Sequence, residues 1–299
     1  MRVGAQTCLM QEIYSPDRMF QMISEAGLDC VDFNINDFVS NREIFTNNAT
    51  PLYDGSLDEA RAILRPYKDA AAKHGVGFYQ THAPFPTIAE NPRMLQVIRR
   101  CLEACAYLEC PYLVVHPSFP GYRERKNMEN YDEWASNIDF FSELIPTIKE
   151  TGVRVCLENM FTGYNGRKME AICSDMGEAV RYIDALNGAA GFDAFGFCLD
   201  TGHAMLFAKD QRKAINELGP RLFALHLNDN DGYEDQHYAP YMGAVDWDAV
   251  TAGLRDVGYG GALCFEIGGS YKRVDPAMLP ALLRFTAAAG NLFWEKVHG

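Results

Sequence analysis

Six apolar runs of this 299-residue chain end on an imidazole or a carboxylate, the side chains that bind divalent cations and move protons. They are GFYQTHAPF with His82, YLVVHPSF with His116, VRVCLENM with Glu158, FGFCLDTGH with Asp200 and His203, LFALHLNDND with His226, and ALCFEIGG with Glu266. Each reads as a short buried strand whose last residues carry the reactive group. Strand ends of a parallel barrel converge on one face, so these groups are expected around one point. Glu158, Asp200, His226 and Glu266 close the fifth to eighth strands. Three carboxylates and an imidazole suit Mn2+, Co2+, Mg2+ or Zn2+, and three bare carboxylates would repel one another without a cation or a proton. Taken singly, each acid could instead favour a helix start. Four on successive strands argue for a site.

Other residues extend the set. His203 follows Asp200 by three positions and is expected over the same mouth as a substrate contact, a metal ligand or a cap. Asp235 and His237 share a face in extended chain, which allows them to hold an ion or to belong to a solvated turn. Five of the seven histidines fall in such positions; His74 and His298 do not. Gly268 and Gly269 give a weak phosphate-loop signal after the last strand. Arg123, Arg125, Lys126, Arg167 and Lys168 could meet an anion, and Phe85, Phe119, Tyr122, Phe161 and Tyr164 could wall a sugar ring.

The elements that must position these groups alternate from end to end. Candidate strands are 2–9, 28–34, 76–82, 111–116, 153–158, 195–200, 221–227 and 262–267, with helical stretches between them. Ser56 with Glu59 has capping-box spacing before a helix that stops at Gly75, and Pro92 opens the next. Pro146 predicts a kink within 132–152, and a helix is expected from Ser174 to Gly188. Residues 34–56 are long for a connection and suggest a loop over the active face. The expectation is an α/β fold, a single (β/α)8 TIM-barrel domain over residues 1–299.

Bulk properties narrow the partners. A formal net charge of -13 disfavours broad nucleic-acid binding and favours a small substrate. No 18-residue apolar run or signal-peptide pattern is evident, so no membrane association is expected. The nine cysteines, an odd count partly within strand-like runs, suggest reduced buried thiols and a cytoplasmic protein. Cys101, Cys105 and Cys110 read as core thiols on one helix. A homo-oligomer is compatible with the sequence.

At LEN (Glu158), LDTGH (199–203), HLNDNDG (226–232), Asp235-Gln236-His237, GAVDW (243–247) and FEIG (Glu266), the chain resembles the sugar phosphate isomerase/epimerase superfamily of xylose-isomerase-like TIM barrels, which also contains endonuclease IV. The resemblance covers nearly the whole chain. Its ketose 3-epimerase branch implies one divalent metal held by Glu158, Asp200, His226 and Glu266, with His203 on substrate. The endonuclease IV pattern implies up to three zinc ions, with His82, His116, His203, Asp235 and His237 as further ligands. Gln236 departs from that motif, which carries Arg between its Asp and His. The expected activity is isomerisation or epimerisation of a sugar, cyclitol or keto acid through an enediolate, with Glu158 and Glu266 as acid and base. The rival is multi-zinc phosphodiester hydrolysis.

Overall fold

The computed structural model describes residues 2–38, 49–120 and 131–299. Eight parallel strands run in the order β10-β1-β2-β3-β4-β5-β8-β9. They are β1 (Val3–Gln6), β2 (Cys30–Asn34), β3 (Gly77–His82), β4 (Tyr112–Val115), β5 (Arg154–Glu158), β8 (Phe195–Asp200), β9 (Leu222–His226) and β10 (Leu263–Phe265). A parallel bridge between Leu227 and Phe265, with Leu227 N–H donating to the Cys264 carbonyl at 2.8 Å, closes the ring. All eight predicted strands are present, each trimmed by a residue or more at one or both ends except β8, and they form the expected barrel.

Helices cover the outside because their apolar faces meet the outward residues of the strands. The helix Leu57–His74 starts with the predicted Ser56/Glu59 capping box and ends at Gly75 in the left-handed region (φ 69°). The helix Pro92–Leu108 is capped by Asn91, whose side chain accepts from Arg93 N–H. Such caps each contribute about 1 kcal/mol. Pro146 does not kink one helix: the chain forms two, Glu133–Ser142 and Ile145–Thr151, and the proline sits in the first turn of the second, where a missing N–H costs nothing. The next helix runs Met176–Ala190. Asp175, rather than Ser174, caps it, and Gly188 lies inside it because Gly191 supplies the left-handed stop (φ 76°). Cys101 and Cys105 are buried on one helix, while Cys110 lies just beyond it. All nine cysteines are free thiols.

Two register shifts decide what faces the barrel axis. Opposite β2 the pairing moves from Val31↔Phe78 to Asp32↔Gln80, so Tyr79 is an extra residue on β3. Opposite β8 it moves from Phe197↔Leu222 to Cys198↔Ala224, so Phe223 is extra on β9. A bulge re-aims every later side chain of its strand. Tyr79 and Phe223 therefore plug the base of the barrel, while Gln80, His82 and His226 still point inward above them. The Tyr79 hydroxyl donates to the Phe223 carbonyl at 3.0 Å, tying the two bulges together.

The strand-to-helix segment after β5 is a two-stranded hairpin, β6 (Phe161–Tyr164) and β7 (Arg167–Glu170). Asn165 (φ 50°) and Gly166 (φ 73°) make its turn, the Asn-Gly pair that two-residue hairpins prefer. Within 34–56, Ile35–Phe38 form a 3-10 turn and Pro51–Asp54 a short helix. Tyr122, Arg123, Arg125 and Lys126 lie outside the described residues.

Candidate metal and proton-transfer site

Strand alternation builds the site. On β5 and β8, Cys156 with Glu158 and Cys198 with Asp200 share the inner face, two residues apart. His226 and Glu266 enter from the ends of β9 and β10. Glu158, Asp200, His226 and Glu266 are all buried, and one ligand atom of each lies within 4.8 Å of the others. His226 Nδ1 is 3.1 Å from Glu158 Oε1 and 3.4 Å from Glu266 Oε2, yet makes no well-aligned hydrogen bond to either. Glu158 Oε2 and Glu266 Oε2 also lack hydrogen-bond partners among the described residues. Two of these unpartnered atoms, His226 Nδ1 and Glu266 Oε2, face each other within the quartet, while Glu158 Oε2 turns toward His116; one imidazole among three buried carboxylates fits a divalent cation.

The remaining predicted residues ring this group. His82, His116 and Glu158 form a second cluster, and Asp200, His203 and His237 a third. His116 Nε2 is 3.4 Å from Glu158 Oε2 and 3.2 Å from His82 Nε2. His82 Nδ1–H donates to the Ala83 carbonyl at 2.7 Å, so its Nε2 presents a lone pair to His116. His203 Nδ1–H donates to the Asn159 carbonyl at 2.8 Å, and its Nε2 faces Asp235 Oδ2 at 3.7 Å. His237 Nε2 is 2.9 Å from Asp235 Oδ2 and its Nδ1 3.5 Å from Glu266 Oε2. All nine candidates therefore meet at one mouth.

Burial and charge set the two glutamates apart. Burial pushes the Glu266 carboxyl up, to about 8, against the pull of the His226 and His237 imidazoles. Burial also works against the Glu158 carboxylate, but His226 and His116 outweigh it and hold it well below the usual range. Burial, reinforced by His116, lowers His82 to about 4. For Asp235, the neighbouring His203 and His237 overcome burial and lower it. His237 rises to about 9 because Glu266 and Asp235 outweigh its desolvation.

Above the cluster opens a cavity of about 300 Å³, a size that suits a small ligand. Its floor is the histidines and carboxylates; its walls are Phe85, Phe119, Met160 and Phe161. Phe85 lies against the His116 ring (centroids 4.9 Å apart) and Phe161 against His203 (5.0 Å). Three of the predicted aromatic wall residues thus line it. Lys168 does not: it pairs with Glu234 at 3.0 Å and packs over Phe161. Arg167 is exposed on the hairpin.

The glycines after β10 have a packing role. A Cβ on Gly269 would stand 1.7 Å from the Gln236 carbonyl oxygen, so glycine lets the Asp235–His237 loop rest there. His237 itself adopts φ 47°, a left-handed conformation costly for a side-chain-bearing residue. Ser270 N–H holds its carbonyl at 3.1 Å.

Four supporting residues escaped the sequence reading. Asn228 Nδ2 donates to Asp200 Oδ2 at 2.7 Å, and Asn159 exchanges two hydrogen bonds with the Asp200 backbone. Gln6 Nε2 donates to Glu266 Oε1 at 2.7 Å. Asp32 Oδ2 accepts from His226 Nε2 at 2.8 Å. Asn159 and Asn228 stand inside the LEN and HLNDND motifs, so their proximity to ligands was a usable signal; Gln6 and Asp32 had none.

The family model described as xylose isomerase-like TIM barrel matches residues 20–287. An inosose isomerase of Halalkalibacterium halodurans is 24% identical over 234 residues, covering 75% of this chain and 77% of that one. The Methanocaldococcus jannaschii protein MJ1311 is 28% identical over 197 residues, and the match spans only 62% of each chain. Among solved structures, D-psicose 3-epimerase in the presence of D-fructose superposes with a TM-score of 0.72 at 16% identity, covering 100% of both chains. The IolI protein with a bound zinc atom superposes at 0.69 and 16% identity, covering 99% of this chain and 98% of that one. At these identities the structural likeness shows the fold.

Proposed function

The chain belongs to the xylose isomerase-like TIM barrel family, and from that premise we propose that it is a divalent-cation-dependent isomerase or epimerase of a small sugar, cyclitol ketone or keto acid. The observation that carries this reading is the buried quartet Glu158, Asp200, His226 and Glu266, with unpartnered donor atoms at the floor of a small cavity. These four residues would hold the cation. When bound, it would act as a Lewis acid that stabilises negative charge on the substrate oxygens.

The side chains then divide the proton work. Glu158, held ionised, takes the proton from the carbon next to the carbonyl; the C–H electron pair passes into the enediolate. Glu266 returns a proton, to the opposite face for epimerisation or to the neighbouring carbon for isomerisation. His203 and His82 or His116 hydrogen-bond substrate hydroxyls, and Asp235 with His237 closes the side of the mouth. Phe85, Phe119 and Phe161 exclude water from the ring's apolar face. The described residues lining the cavity include Glu158, Asp235 and Glu266 and no lysine or arginine, which supports an uncharged polyol over a phosphorylated one.

The test is solvent exchange. The cation-loaded protein, incubated in D2O with ketoses and inososes, is expected to place deuterium on the carbon beside the carbonyl, and Glu158→Gln to stop it. Absence of exchange across such a panel would contradict the proposal. A second reading, multi-ion phosphodiester hydrolysis, draws on the adjoining His82–His116–Glu158 and Asp200–His203–His237 clusters. It requires two or three ions at once. Gln236, bonded to Asp231 through both its Oε1 and Nε2, braces the 231–236 turn, which weighs toward the isomerase.

A further inference from the structure

Strands β1 and β2 contribute nothing to the quartet that would hold a cation, yet each sends one polar side chain beneath it. Gln6 from β1 fixes Glu266. Asp32 from β2 lies under His226 and is 0% exposed. Its Oδ2 takes two hydrogen bonds, from His226 Nε2 at 2.8 Å and from Gln80 Nε2 at 3.0 Å. Its Oδ1 is buried without a partner among the described residues. Gln80 is in turn held by the Leu225 carbonyl at 3.1 Å. The bulge at Tyr79 makes the arrangement, because it sets Gln80 rather than Tyr79 opposite Asp32.

A fully buried carboxylate with one unpartnered oxygen is a costly way to pack a barrel. A purely structural role would be served as well by a neutral side chain. What a neutral side chain lacks is charge on the far side of the imidazole. Histidines that bind metals commonly donate their other N–H to a carboxylate, which fixes the tautomer and strengthens the ligand.

We infer that Asp32 is the positioning residue of the cation site: it accepts the Nε2–H of His226, fixes that imidazole with its Nδ1 turned toward Glu158 and Glu266, and places a compensating negative charge behind it. This rests on the reading that the quartet holds a divalent cation. Asp32 touches neither cation nor substrate and acts through His226 alone. Gln80 holds the carboxylate in turn.

Two variants and two readouts test it. Asp32→Asn keeps size and a hydrogen-bond acceptor but removes charge; Asp32→Leu removes both. In Zn2+-loaded protein carrying 15N-histidine, the His226 ring is expected to bind the ion through Nδ1 with its proton on Nε2, and Asp32→Leu is expected to weaken or scramble that arrangement. Titration with Mn2+ or Zn2+ is expected to show about 10-fold weaker binding in Asp32→Asn and about 100-fold in Asp32→Leu, the range typical of such outer partners. Zn2+-loaded wild-type protein with the His226 proton on Nδ1, or unchanged affinity in both variants while His226→Ala loses the ion, would overturn the role of Asp32 alone. Wild-type protein that takes up no ion would overturn the cation reading and this inference with it. Should Asp32→Leu fail to fold, the near-isosteric Asp32→Asn still decides the affinity question.

Discussion

The two ends of the barrel interior are built from the same strands and obey opposite rules. At the base, Tyr79, Tyr112 and Phe223 close the barrel with thiols and alanines above them, and the polar atoms find partners: Tyr79 bonds the Phe223 carbonyl and Tyr259 the Ala262 carbonyl at 3.2 Å. A few residues along, at the mouth, Asp32 Oδ1, Glu158 Oε2, His226 Nδ1 and Glu266 Oε2 are buried without one among the described residues. Buried polar atoms are ordinarily satisfied, so the mouth bears a cost that the base avoids. The difference separates residues kept for packing from residues kept for a ligand. Substitutions at the two ends should then move different observables.

The largest effect is expected at the mouth. Glu158→Gln should lower turnover by about 10³-fold, the scale of a lost proton-transfer group, while lowering the melting temperature of the metal-free protein far less. Steady-state kinetics beside calorimetry checks both, and a comparable loss of stability would erase the distinction. Next comes the ion. Adding Mn2+ or Zn2+ at a hundredfold excess over its dissociation constant should stabilise wild-type protein by about 2.7 kcal/mol, and chelation should reverse this. His226→Ala should show no such gain in thermal melts.

The base should behave in the converse way. A Cβ on Gly196 would stand 2.1 Å from the Phe223 ring, which is rigid and itself wedged against Tyr112. Gly196→Ala should cost about 1–3 kcal/mol in denaturant unfolding and leave turnover per folded molecule unchanged. A further effect concerns protons. Glu266 titrates near 8 in the folded metal-free chain, above the 4.5 of a free carboxyl. The native state therefore holds a proton that the unfolded state releases. Its contribution is full below about pH 4.5 and fades as pH rises through 8, at no more than about 1.4 kcal/mol per pH unit. Comparing unfolding of wild type and Glu266→Gln from pH 5 to 9 isolates it. An ion should displace the same proton, so its affinity should rise with pH over that window.

The fold was legible because each barrel strand is an apolar run closed by a polar group or a turn, and caps such as Ser56 with Glu59 and Gly75 punctuate the helices. The candidate site was legible where a ligand ends its strand: the nine expected residues meet. Asp32 was not, since an acid in the middle of CVDFN gains meaning only from a bulge on the neighbouring strand, and a bulge depends on pairing that one strand's sequence does not display. Gln6 was hidden for a like reason, its partner being 260 residues away. The β6–β7 hairpin carries the Asn165-Gly166 turn signal, but its strands are short, half-exposed and outside the barrel's strand–helix alternation, so periodicity alone does not display them. The basic residues Arg123, Arg125 and Lys126 lie outside the described residues.

The most direct measurement is the cation content per chain of purified protein, by elemental analysis, in wild type and in Glu158→Gln and His226→Ala. One equivalent of Mn, Co, Mg or Zn in wild type, lost in both variants, is the expected result. Two or three equivalents of zinc, some lost in His82, His116 or His237 variants, would contradict the single-cation isomerase and favour the hydrolase.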